Sequence, residues 1–200
     1  MNMATLREGI SYQGVLLAGF SMLTAAALVF GNAITAPASH AAEENDLKLS
    51  LTQVLPAGFS DNDLLKDVVI VRDDAMGDVE VHRASKGGVL KGAVFETASN
   101  GYAGPVVLLV GISSDGVVQG VRVLKHAETP GLGDKIEEAK SNWIHSFEGK
   151  ALNTARWLVK KDGGDFDQFA GATITPRAVV KAVKQALDFH QAHHAAIYHQ

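Results

Sequence analysis

From Gly14 to Ala38 the chain carries no charged side chain, and the run is dominated by Leu, Val, Phe, Ala and Gly. A bilayer core about 30 Å thick is crossed by about 20 such residues in a helix. A segment of this kind near an N-terminus has two fates: a retained membrane anchor, or a secretory leader removed after export. The small residues around Ser39-His40-Ala41-Ala42 suit a cleavage site. A run longer than the usual ~7–15 apolar residues of a leader suits an anchor, which is the expectation adopted. Arg7 lies upstream, and the next cation is Lys48, beyond Glu43, Glu44 and Asp46. Because Lys and Arg are retained on the cytoplasmic side, this predicts a short cytoplasmic N-terminus at 1–13, a spanning helix at 14–38 and an exported remainder.

Composition narrows what the exported part does. Asp and Glu number 22 against 18 Lys and Arg, a net charge of −4 with no basic block. Nothing there neutralises a phosphate backbone, so nucleic-acid binding is set aside. The chain has no cysteine. That removes thiolate nucleophiles, Cys-held iron–sulfur clusters and zinc, and disulfides, so any redox chemistry needs a borrowed organic cofactor. The residues after the first 42 are enough for one domain with its own core.

Within that part, Leu47, Leu51, Val54 and Leu55 recur at helical spacing, predicting a short helix at Asp46–Val54 closed by Pro56 and Gly58. Strand patterns follow at Val68–Val71, Val79–His82 and Val89–Thr97. Val106–Ile112 and Val117–Leu124 form a hairpin around Ser113-Ser114-Asp115-Gly116, with Val117, Val121 and Val123 on one face. Ile136, Ala139, Trp143, Ile144 and Phe147 predict an amphipathic helix over Asp134–Phe147, stopped by Gly149. A last helix opens at Pro176 with Thr175 as its N-cap, burying Val179, Val180, Val183 and Leu187. The order implies an α+β domain with an antiparallel sheet and flanking helices at 61–190, after a linker and short helix at 39–60. A His-containing tail at 191–200 reads as a frayed, solvated helix end rather than a metal site, although His190 and His194 are four apart.

Two segments invite chemistry. Gly171-Ala172-Thr173-Ile174-Thr175 leads into the last helix, where unpaired N–H groups and partial positive charge receive a phosphate well. The plain alternative is a capped helix after a surface loop. His126-Ala127-Glu128-Thr129-Pro130-Gly131-Leu132-Gly133 offers a stiff, bared backbone with polar edges, suited to a flat ring or to an ordinary turn.

Asp167, Gly171, Ala172 and Thr173 resemble the flavinylation motif of FMN-binding domains, with Ala170 where Ser or Thr is usual and Gln168 where Gly is common. The 126–133 segment is similar to the loop that packs on the flavin ring in the same domains. With the single N-terminal span, the whole chain is similar to the G subunits of the Rnf (Rsx) ion-translocating electron-transport complex. The C subunits of the sodium-pumping NADH:quinone reductase are similar in plan. The resemblance implies FMN held as a phosphoester on Thr173, placed there by an ApbE-type flavin transferase. It implies Gly171, Ala172, Thr175, Asp167, His126, Glu128, Thr129 and Leu132 as further flavin-site residues. It also implies the other subunits of the complex as partners, in the bacterial inner membrane with the flavin domain periplasmic. No catalytic acid/base pair and no metal ligand are expected. Two rival readings stay open: a cofactor-free anchored scaffold, and an exported hydrolase with Thr173 as nucleophile, which would need an activating base.

Overall fold

The computed structural model describes residues 10–199, apart from the side chains of residues 10, 11 and 34–46. Residues 1–9 of the expected cytoplasmic segment, and the side chains around the small-residue stretch at 39–42, therefore lie outside the described residues. The chain divides into two units, residues 1–46 and 47–200.

Helix α1 (Ile10–Gln53) begins in the first unit. Its stretch Tyr12–Ala33 is 22 residues of apolar helix with no buried side chain, long and apolar enough to cross a bilayer. Thr24 sits within it and donates its hydroxyl to the Phe20 carbonyl at 2.8 Å, so this polar group needs no outside partner. The separate helix expected from Asp46 is not set off by a break, because α1 is helical to Gln53. Ala41, Ala42, Glu43, Glu44, Leu47 and Lys48 are strong helix formers, and no glycine interrupts them.

The second unit is built on a five-stranded antiparallel sheet in sequence order. Its strands are β1 (Val68–Asp73), β2 (Gly77–Lys86), β3 (Val89–Asn100), β4 (Pro105–Ser113) and β5 (Val118–Lys125). Each strand returns beside its predecessor, so short turns suffice, and Gly116 supplies the positive φ of 82° that closes the β4–β5 hairpin. The pleat sends Val81, Phe95, Leu108, Val110 and Val121 into a core under helix α2 (Ile174–Ala192). Val179, Val180, Val183 and Leu187 meet them as the spacing predicts. Five aromatic rings finish that core. Phe147 stacks on Phe166 with centroids 4.6 Å apart, and the Trp143 edge meets Phe147 at 5.3 Å and Phe169 at 5.1 Å. Trp157 packs on Phe166 at 5.2 Å. Each such buried ring contributes on the order of 2 kcal/mol.

The opposite face is covered by the start of the same unit, where Leu51, Val54, Leu55 and Leu64 pack on Ala84, Val94 and Leu109. Backbone lies directly on backbone here. A Cβ at Gly111 would stand 2.4 Å from the Val54 carbonyl oxygen, and one at Gly120 would stand 2.8 Å from it.

The structure corrects several expectations. The predicted helix at Asp134–Phe147 is two 3₁₀ helices, Asp134–Ile136 and Asn142–Phe147. Glu137 turns extended (φ −70°, ψ 136°) and Ser141 is extended too, its hydroxyl accepting from the Trp143 N–H at 3.2 Å. Ile136, Ile144 and Phe147 still point inward, but Ala139 is exposed. Two short turns thus satisfy the apolar spacing as well as one helix would. In β5, Val118 replaces Val117 in the core stripe, because Gln119 is an extra residue between the Gly111↔Gly120 and Ile112↔Val118 pairs. Helix α2 begins at Ile174, which puts Pro176 at the third helical position, where its missing N–H is still one of the unpaired ones. Thr175 is therefore not the cap.

His190, His193 and His194 are packed, not frayed, while His199 is exposed. Helix α3 (His194–Tyr198) folds back so that Ile197 is fully buried and His190, 2% exposed, shares a hydrogen bond of 3.0 Å with the Tyr198 hydroxyl. His193 pairs with Asp73 at 2.9 Å. No cluster of three potential metal ligands exists among the described residues. Burial, with His194 adding repulsion, drives the His190 pKa from 6.5 down to about 4.

Two outcomes follow from this packing. Gly111→Ala should destabilise the detergent-solubilised chain by about 2 kcal/mol, seen as a fall of several degrees in thermal unfolding; an unchanged transition would mean Val54 does not lie on that strand. The fold favours neutral His190, so its contribution is complete above pH 6.5 and is lost as the pH falls toward 4. The loss reaches about 3 kcal/mol at most. His190→Gln should flatten stability over that window, and a wild-type slope in the variant would refute the assignment.

Candidate functional site

Sequential antiparallel pairing places the β3–β4 loop and the exit of β5 at one end of the sheet, since Asn100 pairs with Pro105 and Val107 with Lys125. The chain leaving β5 there meets the N-terminus of α2. Between these segments lies a cavity of about 310 Å³, lined by Tyr102, Glu128, Thr129, Leu132, Gly133 and residues 171–175.

Glu128 joins the three segments. Its carboxylate is buried, 5% exposed. Oε1 accepts the Tyr102 N–H at 2.9 Å and the Ala103 N–H at 3.1 Å, and Oε2 accepts the Thr175 hydroxyl. The fit requires bare backbone on two sides. A Cβ at Gly101 would stand 2.4 Å from Oε1, and one at Gly133 would meet both the Glu128 Cβ and the Thr175 hydroxyl at 2.9 Å. Behind it, His126 Nδ1 accepts the Glu128 N–H at 3.1 Å, which leaves the ring proton on Nε2, 2.9 Å from Glu137 Oε1. His126 thereby shapes the loop without lining the cavity.

The Gly-rich approach to α2 is held by ion pairs. Arg156 Nη2 lies 2.8 Å from Asp165, Lys160 lies 2.7 Å from Asp167, and Arg177 grips Asp162 through two bonds of 2.6 and 2.7 Å. The Arg156 N–H and then its guanidinium hold Asp165 below the usual carboxylate range, and Arg177 does the same for Asp162. Exposed pairs of this kind stabilise little, but they fix where the loop runs. Asp167 is thus an exposed partner of Lys160 whose carbonyl accepts the Trp143 indole N–H at 2.8 Å; it does not line the cavity.

What remains uncommitted is at the mouth of α2. Gly171 adopts φ 78° against Leu132. Thr173 is half-buried, precedes the first helical residue and makes no side-chain cap bond. Among the described residues, the N–H groups of Thr173, Ile174 and Thr175 have no protein acceptor. Those amides and the helix dipole form a receptor for a phosphoryl group, with the Thr173 hydroxyl beside it. The exposed side chains of Tyr102, Leu132 and Ile174 give the same cavity apolar walls. Its volume is at the low end of the ~300–1,000 Å³ of cofactor pockets. Anion-receiving backbone beside apolar walls fits a flavin mononucleotide. No histidine or lysine lines the cavity, so nothing there activates Thr173 as a hydrolytic nucleophile.

Of the residues expected at the site, Thr173, Gly171, Ala172, Thr175, Glu128, Thr129 and Leu132 line this one cavity, whereas Asp167 and His126 stand behind it. Thr175 serves as a buried donor to Glu128 instead of a cap. Sequence reasoning passed over Tyr102, while Gly133 and Ile174 lay within the two segments it singled out without being assigned a contact. An aromatic residue isolated in Asn100-Gly101-Tyr102-Ala103-Gly104-Pro105, a loop otherwise of small residues and turn formers, was the available signal for Tyr102.

Known proteins supply the context. Residues 101–188, from the first residue of the Tyr102 loop into α2, match the FMN-binding domain. The G subunit of the ion-translocating oxidoreductase complex of Stutzerimonas stutzeri is 48% identical over 188 residues, covering 92% of this chain and 82% of that one. The Vibrio cholerae protein of the same name is 41% identical over 198 residues, covering 96% and 95%. The chain belongs to the G-subunit family of ion-translocating oxidoreductase complexes. The fold is that of Shewanella oneidensis NqrC, with a TM-score of 0.51 at 23% identity over 70% of this chain and 72% of that one. For the C subunit of the Na(+)-translocating NADH-quinone reductase from Parabacteroides distasonis the TM-score is 0.55, at 21% identity over 74% and 91%.

Within this family member, Glu128→Ala would strand two backbone N–H groups and the Thr175 hydroxyl and empty the space behind them. The expected cost is about 3 kcal/mol. Chemical denaturation of the purified chain measures it, and a loss below ~1 kcal/mol would show that these donors find other partners.

Proposed function

We propose that the chain is the flavin-bearing electron-transfer subunit of a membrane-bound ion-translocating oxidoreductase complex. FMN is attached through its phosphate to Thr173 Oγ. The observation that carries this reading is the unbonded Thr173 hydroxyl beside the free amides of residues 173–175, at the edge of a cavity inside the FMN-binding match. Bound FMN supplies the redox chemistry, taking up and releasing electrons one or two at a time. The chain's own residues hold and place it.

The amides of Thr173, Ile174 and Thr175 would receive phosphate oxygens. In the transferase reaction Thr173 Oγ would replace the nucleotide half of a flavin dinucleotide on the flavin-side phosphorus, the nucleoside monophosphate leaving as the pyrophosphate bond breaks and the hydroxyl proton being released. Leu132, Ile174 and Tyr102 offer the apolar surfaces against which a flat ring excludes water. Asp167, displayed on the exposed loop with Lys160, is placed for recognition by an ApbE-type flavin transferase. No acid or base is assigned, because passing electrons requires none; the chain has no independent catalysis and acts with the other subunits of the complex. Arg7, with no further Lys or Arg until Lys48, supports a single-pass protein of the inner membrane with its flavin domain periplasmic. The covalent bond suits that side, since it prevents loss of cofactor where none is supplied.

Expressed with its flavin transferase, the full chain should fluoresce under ultraviolet light after denaturing electrophoresis. Thr173→Ala should abolish the fluorescent band, and peptide mass spectrometry should place the FMN mass on the fragment containing Gly171–Thr175. A colourless wild-type band would refute the covalent link. A protein from native membranes with no flavin in any form would leave the cofactor-free scaffold.

A further inference from the structure

Among the described residues lining the cavity, Glu128 alone carries a charge. Three donors aim at its two oxygens, and all three are neutral: the N–H groups of Tyr102 and Ala103 and the hydroxyl of Thr175. Neutral dipoles solvate an anion without cancelling its charge. Among the described residues Glu128 has no ion pair, while Arg156, Lys160 and Arg177 are all committed to aspartates on the exposed loop. The result is one negative charge in the cavity wall, packed against the bare backbone of Gly101 and Gly133 and held by three donors.

An electron delivered to this cavity without a proton adds one unit of negative charge. At an effective dielectric of ~20, a unit charge within about 10 Å biases that step by roughly tenfold. We propose that Glu128 is a positioning residue that clamps the three walls of the cavity and, through its uncancelled charge, holds the midpoint potential of the flavin low. The same carboxylate thus serves geometry and driving force. This rests on the flavin reading above and adds to it an assignment of what sets the potential.

Glu128→Gln separates charge from contact. The amide oxygen still accepts both N–H groups, and the amide nitrogen donates to the Thr175 hydroxyl, which then acts as acceptor. The test is a spectroelectrochemical titration of the flavinylated full-length chain in detergent, with FMN content measured first by mass spectrometry. Glu128→Gln should retain its flavin and show a reduced-to-oxidised ratio about tenfold higher at a given ambient potential, ~30 mV more positive for a two-electron couple. Glu128→Asp, which keeps the charge, should titrate close to wild type. A flavinylated Glu128→Gln protein with the wild-type midpoint overturns the proposal and leaves the flavin reading intact. Wild-type protein free of flavin overturns both. Should Glu128→Gln fail to fold, Thr175→Val decides: loss of one solvating donor should move the midpoint the opposite way, to more negative values, and an unmoved midpoint overturns the proposal.

Discussion

A carboxylate taken out of water must be given donors, and the site end of this fold is arranged around that requirement at Glu128. The donors come from the β3–β4 loop and from the second residue of α2. Neither segment is adjacent to Glu128 in sequence, with separations of 26 and 47 residues to Tyr102 and Thr175. Satisfying one buried charge therefore fixes three loops against one another, at a point where loops left alone would be mobile. The cavity follows as the space these loops cannot fill.

Polar groups around this cavity fall into two sets. The loop from Arg156 to Ala172 has its three aspartates paired, to Arg156 and Lys160 within itself and to Arg177 of α2, which fixes its path. The mouth of α2 is left open: a threonine hydroxyl that caps nothing, and three amides with no acceptor among the described residues. Unpaired amides at a helix start are ordinary when water reaches them. Here they face a cavity with apolar walls and a half-buried hydroxyl, and that combination favours a phosphoryl group over bulk solvent.

Much of this was legible in the sequence, and the parts that were not share a cause. Strands with alternating or β-branched residues, such as Val79–His82 and the hairpin around Asp115-Gly116, declare themselves because their signal is local. The stripe Val179, Val180, Val183, Leu187 did so for α2 as well. Asp134–Phe147 misled because inward residues spaced eight and eleven apart suit a helix and two 3₁₀ turns alike. What separates them is the extended backbone at Glu137 and Ser141, tied to His126 and Lys135. Thr175 looked like a cap because Thr before Pro is a strong local cue; its real partner, Glu128, is 47 residues away. The bulge at Gln119 and the packing of His190 on Tyr198 are likewise tertiary choices that no short window carries.

The division of labour between the two sheet faces explains how such a site tolerates its connection to an anchor. The segment entering the domain buries Leu51, Val54 and Leu55 on the face opposite α2, in an apolar cluster distinct from the main core. Site residues instead hang from strand ends and from α2, all supported by the main core. Strain on the entering segment would be met first where Val54 lies on Gly111 and Gly120, a backbone contact that has little room to slide. The β3–β4 loop, the Glu128 loop and the α2 mouth share no side chain with that contact.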